Sequence, residues 1–162
     1  MRRLSRAKKL VMIASGKGGV GKSFVSVSLA LTLREMGRSV GVLDLDVHGP
    51  SIPNLLGAEG PLVATKRGLE PLRVAGLEVM SIGFVVGDSP IPLDGEGKRS
   101  LIGTLAALTN WGDLDYLIVD LPPGTGDEVM WAIRALKRHR RSGSLLVTVP
   151  SRLSISVVRR VL

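Results

Sequence analysis

The sequence contains no cysteine. That excludes disulfides, and it excludes zinc or iron–sulfur centres held by thiolates of this chain. Aromatic residues are scarce (two Phe, two Trp, one Tyr), so the core must be assembled from Val, Leu, Ile and Ala. No apolar run approaches the roughly 20 residues that a membrane-spanning helix needs. The basic start followed by Leu10–Ala14 has the outline of a secretory leader, but the apolar run is too short and a glycine-rich loop interrupts it. Acidic residues are outnumbered: 14 Asp and Glu against 22 Lys and Arg leave a net charge of +8. The excess lies in Arg2, Arg3, Arg6, Lys8 and Lys9, and again in Arg134 and Lys137–Arg141. Such a balance suits an anionic partner, nucleic acid included, and equally suits a solvated basic face.

Glycine is abundant, at 20 of 162 residues. Its densest use is Gly16-Lys17-Gly18-Gly19-Val20-Gly21-Lys22-Ser23, set between the apolar run Leu10–Ala14 and a helical pattern from Lys22 to about Met36. Strand, glycine-rich loop and helix is the order of a phosphate-binding loop. Glycines let backbone N–H groups close on an anion without Cβ clashes, and the helix N-terminus adds partial positive charge. Gly16, Gly21, Lys22 and Ser23 fill the pattern G-x-x-x-x-G-K-[ST]. Gly16, Gly18 and Gly21 also satisfy G-x-G-x-x-G, and Asp44 then lies about where a ribose-binding carboxylate would.

Three features favour a triphosphate over a dinucleotide. Lys22-Ser23 supplies a phosphate cation and a hydroxyl for Mg²⁺. A second carboxylate, Asp46, follows Asp44. A third, Asp120, ends another apolar strand and opens Asp120-Leu121-Pro122-Pro123-Gly124-Thr125-Gly126. Mg²⁺ is held by few protein groups, here Ser23 and Asp120, with Asp44 as a further candidate ligand. Asp46 is placed to orient an attacking water, and Gly124 to offer its amide to the terminal phosphate. Each strand-end carboxylate read alone could equally cap the following turn.

The rest of the chain alternates strand and helix. Residues 1–9 read as a flexible basic tail, and 10–162 as one nucleotide-binding domain. The first helix should turn Phe24, Val27, Leu31 and Met36 to the sheet and end at Gly37. Ser39–Leu43 is a second buried strand, parallel to the first. Val47–Leu56 is a loop into a short helix, and 61–86 a hairpin followed by a strand returning to the sheet. Asp88–Gly97 is a polar loop, Lys98–Leu108 a helix, and Tyr116–Val119 a strand. Asp127–Arg138 is a helix, Leu145–Val149 a strand, and Ser151–Leu162 a helix. The fold class is α/β: a P-loop NTPase with a doubly wound, mostly parallel sheet and helices on both faces. Trp111, Trp131, Met12, Met36, Met80 and Met130 read as packing residues, and His48 as a turn residue.

With these motifs in view, the loop with its extra lysine, Lys17, resembles the deviant phosphate loop of the MinD/ParA ATPases. Asp44-Leu45-Asp46-Val47-His48-Gly49-Pro50-Ser51-Ile52-Pro53 and Leu114 to Asp127 resemble more specifically the Mrp/ApbC branch, whose members are implicated as iron–sulfur cluster carriers or scaffolds. The resemblance implies cytoplasmic ATP binding with Mg²⁺, slow hydrolysis, and a homodimer enclosing two ATP molecules. In it Lys17 reaches the partner's phosphates, and Lys22 and Asp46 complete the catalytic set. The nucleotide would be contacted along Gly16, Lys17, Gly18, Gly19, Val20, Gly21, Lys22, Ser23 and Phe24, and by Gly124. Apo iron–sulfur proteins would be the clients.

Departures from the pattern carry expectations of their own. The family's Cys-Pro-x-Cys pair is absent, so a partner subunit is expected to supply cluster ligands. The sequence is expected to be C-terminally incomplete relative to the family. Phe24 stands where a threonine is usual, and Leu93-Asp94-Gly95-Glu96-Gly97 stands near the place of an Arg-Gly-Pro element. Two alternatives follow: a partition or positioning ATPase that attaches to DNA, and a non-hydrolysing nucleotide-binding module completed by a partner.

Overall fold

The computed structural model describes residues 7–86, 94–136, 139 and 141–150. The apolar runs become the strands of one sheet. β1 (Lys9–Ser15), β2 (Val40–Asp44), β6 (Leu77–Ser81), β7 (Tyr116–Asp120) and β8 (Ser142–Val147) are mutually parallel. β5 (Leu72–Val74) runs antiparallel at the edge, giving the order β5-β6-β2-β7-β1-β8. β1 and β2 are parallel, as expected, but β7 lies between them. That insertion places Ile13 beside Asp120, and Asp120 beside Asp44, in adjacent strands.

Both faces of the sheet are covered, which is why the central strands are apolar without alternation. Leu10, Met12, Leu43, Met80, Leu117 and Val119 point to one side, where α4 (Gly95–Leu108) and α5 (Asp127–Leu136) supply Ile102, Leu105, Ala132 and Leu136. Ile13, Val40, Val42, Val79 and Ile118 point to the other, against Val27 and Ala30 of α1 (Lys22–Glu35) and Ile52 of α2 (Ile52–Leu56). Trp111 is a packing residue, as expected. It presses so closely on β2 that a Cβ at Gly41 would sit 3.0 Å from its ring and 2.6 Å from Leu114.

Residues 61–86 form the expected excursion. β3 (Val63–Thr65) and β4 (Gly68–Glu70) make a separate hairpin, and a second hairpin, β5–β6, returns the chain to the sheet. Its two-residue turn, Ala75-Gly76, has positive φ at both positions, the turn whose twist matches the strands it joins. The short helix α3 (Gly83–Val86) follows.

Several boundaries differ from the sequence reading. The domain starts before residue 10: Ala7 is buried, the Lys8 amide donates to the Leu114 carbonyl at 2.9 Å, and Lys8 Nζ lies 2.8 Å from Asp115. α4 begins at Gly95 because Asp94 caps it, accepting from the Gly97 amide at 2.7 Å. β8 begins at Ser142, since pairing with β1 rather than apolarity sets its register. Met36 is exposed, because it lies past the last turn of α1, where Gly37 reverses the chain. Residues 1–6, most of the polar loop, Lys137, Arg138, Arg140 and the last expected helix lie outside the described residues.

Candidate nucleotide site

The site forms at the carboxyl ends of β1, β2 and β7, where open parallel sheets bind ligands. After Ser15 the chain turns through Gly19 and Gly21, with φ of 73° and 89°, and enters α1 directly. α1 has no side-chain cap and no acidic residue in its first turn. Its leading amides are therefore left to an anion. A Cβ at Gly18, Gly19 or Gly21 would meet nothing within 4 Å, so the loop borders open space. That space is a cavity of about 480 Å³ with Lys17, Gly18, Gly19, Gly21, Lys22, Ser23, Phe24 and Asp46 in its wall, joined by Ser15, His48, Gly49, Ser51, Leu55 and Pro123.

Lys22 turns inward from the first residue of α1. Its Nζ lies 2.7 Å from Asp120 Oδ2 and 3.5 Å from Asp46 Oδ2, with only 6 % of its side chain exposed. Asp120 is fully buried and held on both oxygens: Ser23 Oγ donates to Oδ2 at 2.6 Å, and Ser26 Oγ to Oδ1 at 2.7 Å. Asp46 is oriented by its own loop, with Oδ1 accepting from the amides of His48 (3.0 Å) and Gly49 (3.3 Å). The other oxygen faces Lys22. His48 lies 3.6 Å from Glu128, at the start of α5, and so links the loop after β2 to the segment after β7.

One lysine thus stands among three buried carboxylates, Asp44, Asp46 and Asp120. Loss of hydration and the neighbouring Asp120 charge together push the Asp44 carboxyl up to about 7. The Asp46 amide and Ser81 Oγ, at 3.0 and 2.8 Å, bond its two oxygens and oppose that rise. A carboxyl whose folded pKa is raised contributes stability below its unfolded pKa, and that contribution is lost as pH climbs toward the folded value. Between pH 4 and 7, then, the native protein should lose stability relative to an Asp44→Asn variant. The full span is on the order of 4 kcal/mol. Denaturant unfolding of both proteins at pH 4 and 8 measures it; a difference that does not change with pH would contradict it.

The structure gathers Lys17, Lys22, Ser23, Phe24 and Asp46 around one cavity and sets Asp120 behind Lys22 and Ser23. Gly16 and Val20 shape the loop without entering the cavity wall. Asp44, the further candidate ligand, is as buried as Asp120, with its oxygens bonded by Ser81 Oγ and the Asp46 amide. The Gly124 amide donates to the Ser15 carbonyl at 2.9 Å, because the turn after Pro123 closes onto the end of β1. Contrary to expectation, Phe24 does not face the sheet: the residue is 65 % exposed, since the first turn of α1 stands beyond the strand ends. Ser26 and Ser81 escaped the sequence reading. The only trace of Ser26 was its place four residues after Lys22, on the same helix face.

Among the described residues, no cluster of three or more His, Asp or Glu could hold a metal ion alone. A hard cation here would depend on a few oxygen donors plus phosphate and water. Ser23 Oγ, in the cavity wall, and Asp120 Oδ2, bonded behind it, are oxygen donors of the kind Mg²⁺ takes.

A family model described as ParA, the NUBPL iron-transfer P-loop NTPases, matches residues 6–162. The chain belongs to this family. Among NUBPL-type relatives, the human cytosolic Fe-S cluster assembly factor NUBP2 is 44% identical over 97% of this chain and 60% of its own length. An iron-sulfur cluster carrier protein from Saccharolobus solfataricus is 41% identical over 98% of this chain and 54% of its own. The chain therefore spans 54–60% of the length of these curated relatives. A nucleotide-binding protein from Archaeoglobus fulgidus, solved in complex with ADP, superposes with a TM-score of 0.83 at 37% identity, covering 99% of this chain and 62% of that one. The septum site-determining protein MinD of Pyrococcus horikoshii, solved with Mg-ADP, shares the fold with a TM-score of 0.65 at 22% identity. The NUBPL-type fold is thus a nucleotide-binding P-loop fold of mostly parallel strands, as its motifs implied.

Proposed function

We propose that this chain is the nucleotide-binding part of a Mg²⁺-dependent ATPase serving iron–sulfur cluster assembly or transfer. The observation that carries the reading is the convergence of Lys22 and Ser23 on Asp120, with Asp46 across the same cavity. The loop and the first turn of α1 bind the phosphates, and Lys22 neutralises them. Ser23 and Asp120 are the residues that would hold Mg²⁺, which when bound spreads the charge of the phosphate oxygens. Asp46, fixed by the His48 and Gly49 amides, orients the attacking water. Lys17 serves the phosphates of a second copy of the chain in a homodimer.

The relatives' names support the cluster role. These 162 residues hold no cysteine, so cluster ligands come from outside them, from further residues of the polypeptide or from a partner subunit, and apo iron–sulfur proteins receive the product. A cytoplasmic setting accords with the human relative's name, and among the described residues no helix is long and apolar enough to cross a membrane.

The test is titration and turnover of ATP by the purified chain with Mg²⁺ or with excess chelator. Slow hydrolysis should require Mg²⁺. Asp46→Asn should retain binding and lose on the order of 10²-fold or more in rate. A chain that binds no ATP under either condition would refute the proposal.

A further inference from the structure

We infer that Phe24 is the platform on which the base of a bound nucleotide stacks, a role that rests on the nucleotide reading above. Phe24 follows Ser23 in the first turn of α1 and lines the same cavity as Lys17, Gly19 and Lys22. It is one of only two phenylalanines. The other, Phe84, packs against both cores, whereas Phe24 leaves most of its ring in water. α1 meets the sheet through Val27 and Ala30 instead.

Chemistry sets the order of groups along the loop. The lysine of a phosphate loop reaches the β- and γ-phosphates and the following hydroxyl the metal, while loop amides cradle the α- and β-phosphates. Asp46 and Asp120, the carboxylates suited to a water and a metal, mark the γ end. The α-phosphate and nucleoside then leave past the next residue of α1, which is Phe24. A phenyl ring cannot hydrogen-bond a phosphate, so what it offers there is a flat apolar face. Aromatic faces stack on any base with little dependence on its identity, which makes Phe24 a source of affinity for nucleosides in general.

The experiment compares ADP with pyrophosphate, which share the diphosphate and differ by the adenosine. Calorimetric titration of Phe24→Ala should show ADP weakened roughly ten-fold or more, the loss of one base–aromatic stack, with pyrophosphate unchanged. Phe24→Tyr should restore ADP, and Phe24→Leu, which keeps an apolar wall without a ring, should not. GDP should follow ADP across the series. Equal weakening of ADP and pyrophosphate, or no weakening of either, overturns the inference while leaving the nucleotide site standing. A parent protein that binds neither ligand overturns the site itself and this inference with it.

Discussion

Lys22→Ala should bind no nucleotide in the micromolar range and should unfold several kcal/mol more readily than the parent. The two losses have one origin. Lys22 is the cation between Asp120 and Asp46, almost wholly out of water. Removing one member of a buried ion pair leaves the other charge uncompensated, at a cost of about 3–5 kcal/mol. Here the stranded charge would be Asp120, already beside Asp44 across the β2–β7 ladder. The same truncation strips the loop of its phosphate cation, worth about 2–5 kcal/mol of affinity. Denaturant unfolding without ligand measures the stability deficit, and calorimetric titration of nucleotide measures the binding defect. An unaltered unfolding midpoint would mean that Lys22 is not the counter-ion this geometry makes it.

Lys17→Ala should keep its affinity for one nucleotide within a few-fold and lose on the order of 10³-fold in turnover, the contribution of a cation supplied in trans. Lys17 is exposed in the cavity wall, and its ammonium makes no ion pair among the described residues. Its carbonyl is fastened by Ser15 Oγ at 3.0 Å, so the backbone is anchored while the side chain is left to reach outward. A mixing experiment tests the direction of that reach. Lys17→Ala retains Asp46, and Asp46→Asn retains Lys17. Combining the two inactive variants should restore part of the activity through hybrid dimers. Full turnover by Lys17→Ala alone, or no recovery on mixing, would place Lys17 outside a shared site.

The contrast between these residues shows what the sequence carried. Lys22 and Ser23 were legible because a short loop fixes their relation by spacing alone, whereas Lys17 stood out only through the loop's resemblance to the deviant form. Asp120 was legible because a carboxylate ended an apolar run and a Pro-Pro-Gly turn followed. Asp44 looked the same as Asp120 on those grounds. What separates them is which strand lies alongside: β6 presents Ser81 to Asp44, while α1 presents Lys22, Ser23 and Ser26 to Asp120. Strand order is a non-local property, and no window of residues contains it. Phe24 failed for another reason. The helical period would have put it on the face of Val27, but the sheet ends below the first turn and leaves that face without a neighbour. That β1, β2 and β7 are buried strands was legible from their apolar runs, but that β7 pairs between the other two was not.

The open first turn of α1 reaches beyond catalysis. Its amides have no side-chain partner, so an arriving phosphate completes the helix itself. A ligand that binds only the native chain raises its stability by RT ln(1 + [L]/Kd). The half-life of this polypeptide in a cell would then rise and fall with nucleotide supply.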